Sequence, residues 1–437
     1  MTFESLGLCP ELLRALAAAG YDTPTPIQVK AIPEVLAGHD LMASAQTGTG
    51  KTAGFALPIL QMLKQAGERV VPKGVRALVL VPTRELAAQV LASVQRYGNE
   101  LKLSSTAIYG GVSERPQIAA AARGIDVLIA TPGRLMDLMQ QNAVSLSGVR
   151  HLVLDEADRM LDMGFLPAIK RILQKLPKQR QTLMFSATFA PELRELAQTM
   201  LHNPAEVDVS PRNSTAVTVE HRVHLIEDAK KRDALLHLLH NEPRQTLVFS
   251  RTKHGADKVV RFLDSYGFKS AALHGNKSQN ARTRALGGFK SGEIQILVAT
   301  DIASRGIDIK ELPAVVNFDL PNVPEDYVHR IGRTGRAGAN GLAISLVGRE
   351  DQNYLRGIER LLKTPLKREP LGEFKLPERV AAEVEKVRQP QGQRRPQQRA
   401  GAAPAARGHN LRSQGQRVPA RGNGGQQRSG GGRSSAR

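Results

Sequence analysis

A chain of 437 residues is long enough for two or three domains, and its 41 % hydrophobic content suits folded cores. No run of about 18 uncharged apolar residues is present, so no membrane-spanning helix is expected, and the single cysteine excludes an internal disulfide. The formal net charge of +20 favours a polyanionic partner. Together with an N-terminus that lacks a secretion signal, these features predict a soluble protein of the cytoplasm.

The first predicted element with chemical meaning is a glycine-rich loop at residues 45–52. Glycines let backbone N–H groups approach phosphates, and the N-terminus of the following helix adds positive charge. Lys51 is suited to neutralising the β- and γ-phosphates, and the Thr52 hydroxyl to binding Mg²⁺. The pattern predicts a nucleoside triphosphate site made of Ala45, Gln46, Thr47, Gly48, Thr49, Gly50, Lys51 and Thr52.

Short β-branched runs alternate with amphipathic helical stretches from about Phe3 to Asp208. The clearest runs are residues 77–81, 127–130 and 151–154. This alternation predicts a parallel sheet with crossover helices. Because ligands bind such sheets at the carboxyl ends of the strands, residues that directly follow each run are the candidates for a site.

The acidic stretch Asp155-Glu156-Ala157-Asp158 follows one of these runs directly. At a strand end, Asp155 is placed to hold Mg²⁺, directly or through water. Glu156 is the natural candidate to orient or deprotonate an attacking water. The lysine loop and this acidic strand end together predict that the protein binds and hydrolyses a nucleoside triphosphate.

The alternation stops at residues 209–218, which read as a linker, and then starts again. Runs at 246–250, 294–299 and 314–318 predict a second α/β domain, followed by a helical tailpiece to about Lys375. The predicted organisation is therefore an N-terminal recognition segment (1–30), two tandem parallel-sheet domains (31–208 and 219–380) and a C-terminal tail (381–437).

The second domain contains His-Arg-Ile-Gly-Arg-Thr-Gly-Arg at residues 329–336. Three arginines separated by glycines make a poor helix face but suit anion recognition, since guanidinium groups match phosphate oxygens. From the residues alone, two interpretations stay open. The arginines either stabilise a transferring phosphoryl group or form an exposed basic loop that binds RNA.

Residues 386–437 carry twelve Lys and Arg, no Asp or Glu, and no aromatic residue. Such a composition cannot bury enough apolar surface to fold, so the tail is predicted to be disordered. The charge favours an RNA-binding arm that does not read sequence over a merely solubilising tail.

Taken in order, these motifs resemble those of the DEAD-box ATP-dependent RNA helicases, and more narrowly those of the bacterial RhlE group. The resemblance runs from Phe3 to about Leu362. It includes residues 20–28 (Gly-Tyr-Asp-Thr-Pro-Thr-Pro-Ile-Gln), which match the adenine-recognition motif of that family. The family is built from two RecA-like domains, which agrees with the α/β class predicted above.

For the ATP site, the resemblance implies that Gln28 reads the adenine edge, that Phe3 stacks on the ring, and that Tyr21 lies nearby. It assigns Gly306 and Asp308 to the nucleotide, with Asp308 at the ribose. It also makes Arg333 and Arg336 arginine fingers that act in cis. ATP is thus expected over GTP, with Mg²⁺ held by Thr52 and, through water, by Asp155.

For RNA, the resemblance implies contacts from both domains. The residues concerned are Pro82, Thr83, Arg84, Gly110, Gly111, Thr131, Pro132, Gly133, Arg134, Arg251, His274, Gly275, Arg282 and Thr300. Coupling between ATP hydrolysis and RNA unwinding is assigned to Asp158, Ser186, Thr188 and His329, with the two hydroxyls bridging Asp158 and His329.

The function expected is an RNA-dependent ATPase that clamps single-stranded RNA and locally unwinds short duplexes. It would act as a monomer, largely without sequence preference, and ribosomal precursors or RNA-decay complexes are compatible partners. Three alternatives stay open: a DNA-directed helicase, an ATP-gated RNA clamp or scaffold with little unwinding, and a non-catalytic RNA-binding protein. The presence of Lys51, Glu156 and Arg336 argues against the last.

Overall fold

The computed structural model describes residues 1–45, 49–209, 219–241, 244–301, 312–335 and 341–372. These ranges form two parallel α/β sheets, one on each side of residues 210–218. Residues 1–209 are called the first lobe here, and residues 219–372 the second lobe. The predicted class of two RecA-like α/β domains is confirmed.

The first lobe is built on a seven-stranded sheet with the order β3-β4-β2-β5-β6-β1-β7. Its strands are β1 (Leu41–Ser44), β2 (Val75–Leu80), β3 (Ser105–Ile108), β4 (Ile125–Ala130), β5 (His151–Asp155), β6 (Gln181–Ser186) and β7 (Ala205–Asp208). Strands β2, β4 and β6 are buried along their whole length, since helices cover both faces of the sheet.

Nine helices of the described first lobe flank this sheet. They are α1 (Pro10–Ala18), α2 (Pro26–Leu36), α3 (Lys51–Ala66), α4 (Arg84–Tyr97), α5 (Arg115–Ala122), α6 (Pro132–Gln140), α7 (Ala157–Asp162), α8 (Leu166–Leu173) and α9 (Pro191–Met200). One core lies under α2, α3 and α4 and the other under α6 to α9. Several helices begin with proline, which fits a first turn because that position needs no N–H donor.

The second lobe repeats the arrangement with six strands in the order β10-β11-β9-β12-β13-β8. The strands are β8 (Val219–Leu225), β9 (Thr246–Phe249), β10 (Ser270–Leu273), β11 (Ile296–Ala299), β12 (Ala314–Asn317) and β13 (Gly341–Val347). The helices are α10 (Lys231–Asn241), α11 (Lys253–Asp264), α12 (Gln279–Lys290), α13 (Pro324–Ile331) and α14 (Gln352–Leu362).

All six apolar runs singled out in the sequence fall on strands, namely β2, β4, β5, β9, β11 and β12. The expected helical tailpiece is shorter than predicted. Helix α14 ends at Leu362, Lys363 takes a left-handed conformation at φ 54°, and Pro365 follows. The chain then runs beside the edge strand β8, where Val223 N–H donates to Lys367 O at 2.9 Å. The predicted helix is wrong here because these backbone groups complete the sheet edge instead.

The described helices include none with the length and apolar character needed to cross a membrane. The predicted linker at 209–218 lies outside the described residues apart from Val209, and the predicted tail lies wholly outside them.

Candidate nucleotide and RNA site

Strand order divides the carboxyl edge of the first lobe into two halves. The adjacent strands β5, β6 and β1 end at Asp155, Ser186 and Ser44, which brings the acidic motif, the serine motif and the glycine loop together. Ala45 N–H donates to Ser186 O at 2.9 Å, which ties two of these strand ends to each other. The neighbouring half, β3-β4-β2, ends beside Gly110, Thr131 and Pro82. The candidate nucleotide and RNA residues therefore occupy adjoining halves of one edge.

The glycine loop is packed against the adenine-recognition motif. Gly50 caps α3 at φ 91°, and a Cβ atom there would collide with the side chains of Gln28 and Thr25. Only glycine fits this position, because both the backbone angle and the space forbid a side chain. Gln46, Thr47 and Gly48 lie outside the described residues.

Gln28 links helix α2 to that loop. Its Oε1 accepts from Thr25 N–H at 2.9 Å, and its Nε2 donates to Gly50 O at 3.1 Å. An amide has further hydrogen-bonding capacity on both atoms, so a second donor and a second acceptor stay available on this buried side chain. The side chain that the resemblance assigns to adenine thus already contacts the loop that the residues assign to phosphate.

The two aromatic candidates differ in exposure. Phe3 is buried in the core that lies beneath α2 and α3. Tyr21 is 40 % exposed, and its ring centroid lies 6.3 Å from that of Tyr97 on α4.

The acidic motif is buried, and its backbone is strained. Asp155 is 2 % exposed, and Glu156 caps α7 in the left-handed region at φ 52°, ψ 53°. The pKa of Asp155 is raised to about 6, chiefly by burial; Lys51 opposes the shift, and the carboxylates of Glu156 and Asp158 contribute to it. Strain and desolvated charge at one strand end are typical of functional sites.

Lys51 Nζ and Glu156 Oε2, at the acidic motif, are buried and have no hydrogen-bond partner among the described residues. A buried ammonium without a hydrogen-bond partner is costly, and a phosphate bound beside it would reduce that cost. The described ranges contain no group of three His, Cys, Asp or Glu side chains placed to hold a metal alone. Mg²⁺ commonly takes one or two protein ligands and completes its shell with phosphate and water. Asp155 and the half-buried Thr52 fit that requirement.

Asp158 is fully engaged with the serine motif. Its Oδ2 accepts from the N–H groups of Ala187 and Thr188 at 3.1 and 3.0 Å, and from Thr188 Oγ1 at 3.2 Å. The Asp158 N–H donates to Ser186 Oγ at 3.3 Å. The structure thus brings three of the four predicted coupling residues together within the first lobe. His329 lies on α13 of the second lobe and is half-buried.

The RNA-facing candidates of the first lobe cluster around one arginine. Thr83 caps α4 by accepting from Leu86 N–H at 3.2 Å, and Arg84 begins that helix. The Arg84 guanidinium lies against Gly111, where a Cβ atom would collide with it. Arg134 on α6 donates to Val112 O at 3.4 Å. The remaining candidates of this lobe lie at the same strand ends: Pro82, Gly110, Thr131, Pro132 and Gly133.

Contacts between the lobes converge on Glu85. Gln279 Nε2 donates to Glu85 Oε1 at 2.9 Å, and Arg282 Nη2 lies 2.9 Å from Glu85 Oε2. Burial lowers the pKa of Arg282, while the nearby carboxylate of Glu85 opposes that shift. Arg282, an RNA candidate by sequence, is therefore engaged in an ion pair with Glu85 of the other lobe, a residue to which the sequence analysis assigns no role.

Three RNA candidates of the second lobe have partners within that lobe or little exposure. Arg251 pairs with Asp351, and its guanidinium lies 5.1 Å from the Tyr354 ring centroid. His274 is 1 % exposed, with Nε2 3.0 Å from Asp257 Oδ1. Thr300 is buried at the end of β11.

Gly275 is exposed, beside Lys253. The roles of these RNA candidates remain predictions.

The two described arginines of the loop are both buried. Arg330, 2 % exposed, has its partners inside the second lobe, and Arg333, 5 % exposed, lies in the turn that follows α13. Gly306, Asp308 and Arg336 lie outside the described residues. The sequence reasoning grouped Arg330 with the anion-binding arginines, and no local signal distinguishes it from them.

Family models match both lobes. A DEAD/DEAH box helicase model matches residues 25–196, and a helicase conserved C-terminal domain model matches residues 230–338. Among curated proteins, the chain is 42 % identical over 374 residues to DEAD-box ATP-dependent RNA helicase 40 of Oryza sativa, covering 84 % of this chain and 47 % of that protein. It is 42 % identical over 369 residues to ATP-dependent RNA helicase dbp2 of Emericella nidulans, covering 83 % and 65 %. The chain thus spans about half to two thirds of these relatives.

Among solved structures, the S. cerevisiae protein Dbp5 bound to RNA and ADP BeF3 matches with a TM-score of 0.75 at 34 % identity. The match covers 88 % of this chain and 98 % of that one. The fold of both lobes is therefore shared with a protein that holds RNA and a nucleotide analogue at once.

Proposed function

Since this chain belongs to the DEAD-box helicase family, we propose that it is an RNA-dependent ATPase that clamps single-stranded RNA and locally unwinds short RNA duplexes. The observation that carries the proposal is the divided carboxyl edge of the first lobe. Candidate nucleotide residues follow β1 and β5, the coupling candidates Ser186 and Thr188 lie at the end of β6, and candidate RNA residues follow β2, β3 and β4. One rigid sheet therefore supports both sites side by side.

Hydrolysis is assigned to residues around the buried acidic motif. Lys51, which has no hydrogen-bond partner among the described residues, neutralises the β- and γ-phosphates. Glu156 orients the attacking water and accepts its proton. Arg333, together with Arg336, stabilises charge on the transferring phosphoryl group.

Thr52 and Asp155 are the residues that would hold Mg²⁺, Asp155 through water. When bound, Mg²⁺ supplies charge neutralisation at the β- and γ-phosphates. The ionised form of Asp155 is the one that binds a cation, so its raised pKa ties nucleotide binding to pH.

Selection of ATP over GTP is assigned to Gln28. An amide pairs with the N6 and N7 edge of adenine, and the Gln28 amide keeps one donor and one acceptor beyond its contacts with Thr25 and Gly50. Adenine bound at Gln28 would therefore act directly on the phosphate loop, through the hydrogen bond from Gln28 to Gly50.

ATP and RNA favour the same closed arrangement of the lobes in this proposal. The contacts of Glu85 with Gln279 and Arg282 join the lobes next to Arg84, an RNA candidate. Ligands that prefer one state strengthen each other's binding. Contacts to backbone and 2′-hydroxyl groups would give RNA over DNA without base reading, and the basic tail would add affinity that does not depend on sequence.

We also propose that the chain is a cytoplasmic monomer of the RhlE-like group. That narrower placement rests on the resemblance of the ordered motifs from Phe3 to about Leu362. Its RNA targets would lie in ribosome assembly or RNA degradation, where short duplexes need to be opened locally.

The test is steady-state ATPase activity with no nucleic acid, with a mixed-sequence single-stranded RNA, and with DNA of the same sequence. The proposal predicts strong stimulation by RNA and little by DNA. Equal stimulation by DNA would overturn the choice of RNA. If RNA stimulates the ATPase but no strand is released from a short labelled duplex, the protein is an ATP-gated clamp and not a helicase.

A further inference from the structure

Arg330 is the largest fully buried side chain in the described part of the protein. Its Nε donates to Asp301 Oδ1 at 2.6 Å and its Nη2 to Asp301 Oδ2 at 2.7 Å, a forked ion pair. Its Nη1 donates to Asn317 Oδ1 at 3.1 Å and to Asp319 O at 2.6 Å. These four bonds leave the guanidinium a single N–H, so Arg330 has almost no capacity to bind an external phosphate.

The partners of Arg330 lie at three strand ends. Asp301 follows Thr300 after β11, Asn317 ends β12, and the Phe249 ring at the end of β9 lies 4.9 Å from the guanidinium. The two strand ends at β9 and β11 lead into RNA candidates, Arg251 and Thr300. The guanidinium therefore links the ends of β9, β11 and β12 at the edge of the second lobe that is proposed to face RNA.

Arg330 also lies at the base of the turn that carries Arg333. It occupies the last turn of α13, and Arg333 N–H donates to Arg330 O at 3.2 Å. Arg333 O in turn accepts from Leu312 N–H at 3.2 Å. A shift of Arg330 would thus move the backbone that places the proposed arginine finger.

We infer that the Arg330–Asp301 pair is a positioning device that transmits the position of the Thr300–Asp301 segment, directly after β11, to the Arg333 turn. This inference rests on the proposed function, in which Thr300 faces RNA and Arg333 faces phosphate. The pair transmits because a forked, buried ion pair has one favourable geometry, and separating it leaves a buried charge without a partner. RNA bound at Thr300 therefore fixes the position of the Arg333 turn.

The test uses Asp301→Asn, Arg330→Lys and the double variant. Each substitution keeps a polar side chain of similar size and removes the forked ion pair between Arg330 and Asp301. The matched control is Arg76→Lys, which weakens a buried arginine pair of the first lobe, where Arg76 Nη1 lies 2.8 Å from Asp126 Oδ1. Arg76 also donates to Leu63 O at 2.8 Å and contacts neither proposed site.

The first readout is amide hydrogen exchange of the protein without ligands. We expect exchange at residues 332–334 to rise by about tenfold or more in each variant, while the melting temperature stays near that of the Arg76→Lys control. Unchanged exchange at these amides would overturn the inference. A rise spread evenly over the whole second lobe would also overturn it, since that outcome marks a purely structural pair.

The second readout is the split between kcat and KM. RNA-stimulated kcat should fall by about a hundredfold through misplacement of Arg333, with KM for ATP nearly unchanged. The double variant should be no worse than the single variants, because all three break one device. A kcat within twofold of wild type would contradict the inference. If wild type itself is not stimulated by RNA, the proposed function fails, and the exchange measurement still decides the role of the pair because it needs neither ligand.

Discussion

At the scale of single residues, the acidic strand end concentrates features that reduce stability. Glu156 takes φ 52°, which a residue with a Cβ adopts at a cost of about 1–2 kcal/mol. Its Oε2 is buried without a hydrogen-bond partner among the described residues. Backbone strain and an unpartnered buried carboxylate together fit a group that takes a proton from water.

Glu156→Gln should therefore abolish hydrolysis while leaving ATP binding intact. The amide keeps the shape and loses the proton acceptor, so kcat should fall by about a hundredfold or more. Because ATP favours the closed arrangement of the lobes in our proposal, ATP that is not hydrolysed should keep them closed. RNA should then be retained for longer, as measured by the lifetime of a filter-retained complex. Glu195→Gln, on the exposed face of α9, is the control. Wild-type turnover in Glu156→Gln would remove the role assigned to this residue.

Asp155 predicts a pH dependence of stability in the protein without ligands. Its folded pKa of about 6 lies above the ordinary value of 3.8, so the folded state holds the proton more tightly than the unfolded state. The stability that this proton supplies is complete below about pH 4 and is lost as the pH rises to about 6. Asp155→Asn should thus be more stable than wild type at pH 7, by up to about 3 kcal/mol, and equal to it near pH 4. Denaturant unfolding at both pH values measures the difference, and a gap that does not change with pH would contradict the raised pKa.

The residues of the candidate site could be predicted from the sequence, but the side chains that they contact could not. Lys51 and Asp155 are identifiable because a glycine loop and an acidic strand end have local signatures. Arg330 and Arg333 have the same local signature, yet Arg330 is paired with Asp301, 29 residues away in the chain. Glu85 likewise gains its role from Gln279 and Arg282, nearly two hundred residues away. Such long-range pairing is set by tertiary packing, which no local pattern records.

At the scale of elements, the strands were predictable and their order was not. β-branched apolar runs mark β2, β4 and β5 because strands buried on both faces have no polar side. The order β3-β4-β2-β5-β6-β1-β7 depends on crossovers between strands far apart in sequence. That order sets the two halves of the edge, and so it decides which loops lie next to each other.

The turn after β3 offers a test of the RNA half of that edge. Gly111→Ala should weaken RNA binding by about tenfold, because a Cβ atom there would displace the Arg84 guanidinium. Gly111 also has φ 79°, so backbone strain must be separated from the contact. Gly164→Ala is the matched control, with φ 74° and no atom within 4 Å of the added Cβ. RNA affinity should fall in the first variant only, by fluorescence anisotropy. Equal losses in both would mean that strain, not Arg84, is responsible.

At the scale of the whole molecule, the basic tail predicts a separable contribution to RNA binding. Removing residues 386–437 takes away twelve cations and no acid. RNA affinity should fall, and the slope of log K against log salt should become shallower, because fewer counterions are released. The ATPase rate without RNA should not change. A salt slope equal to that of the full chain would show that the tail does not contact phosphate.

The contact between the lobes predicts how ATP and RNA are coupled. Glu85 is 7 % exposed and receives both Gln279 and Arg282 from the other lobe. Glu85→Gln removes the charge that compensates Arg282 only when the lobes are closed, so the closed state alone is penalised. A non-hydrolysable ATP analogue raises RNA affinity by favouring the closed state. This increase should be about tenfold smaller in Glu85→Gln than in wild type, because the variant makes the closed state less favourable. RNA affinity without nucleotide and nucleotide affinity without RNA should stay near their wild-type values. An undiminished gain would mean that closure is held by the ligands themselves and not by this ion pair.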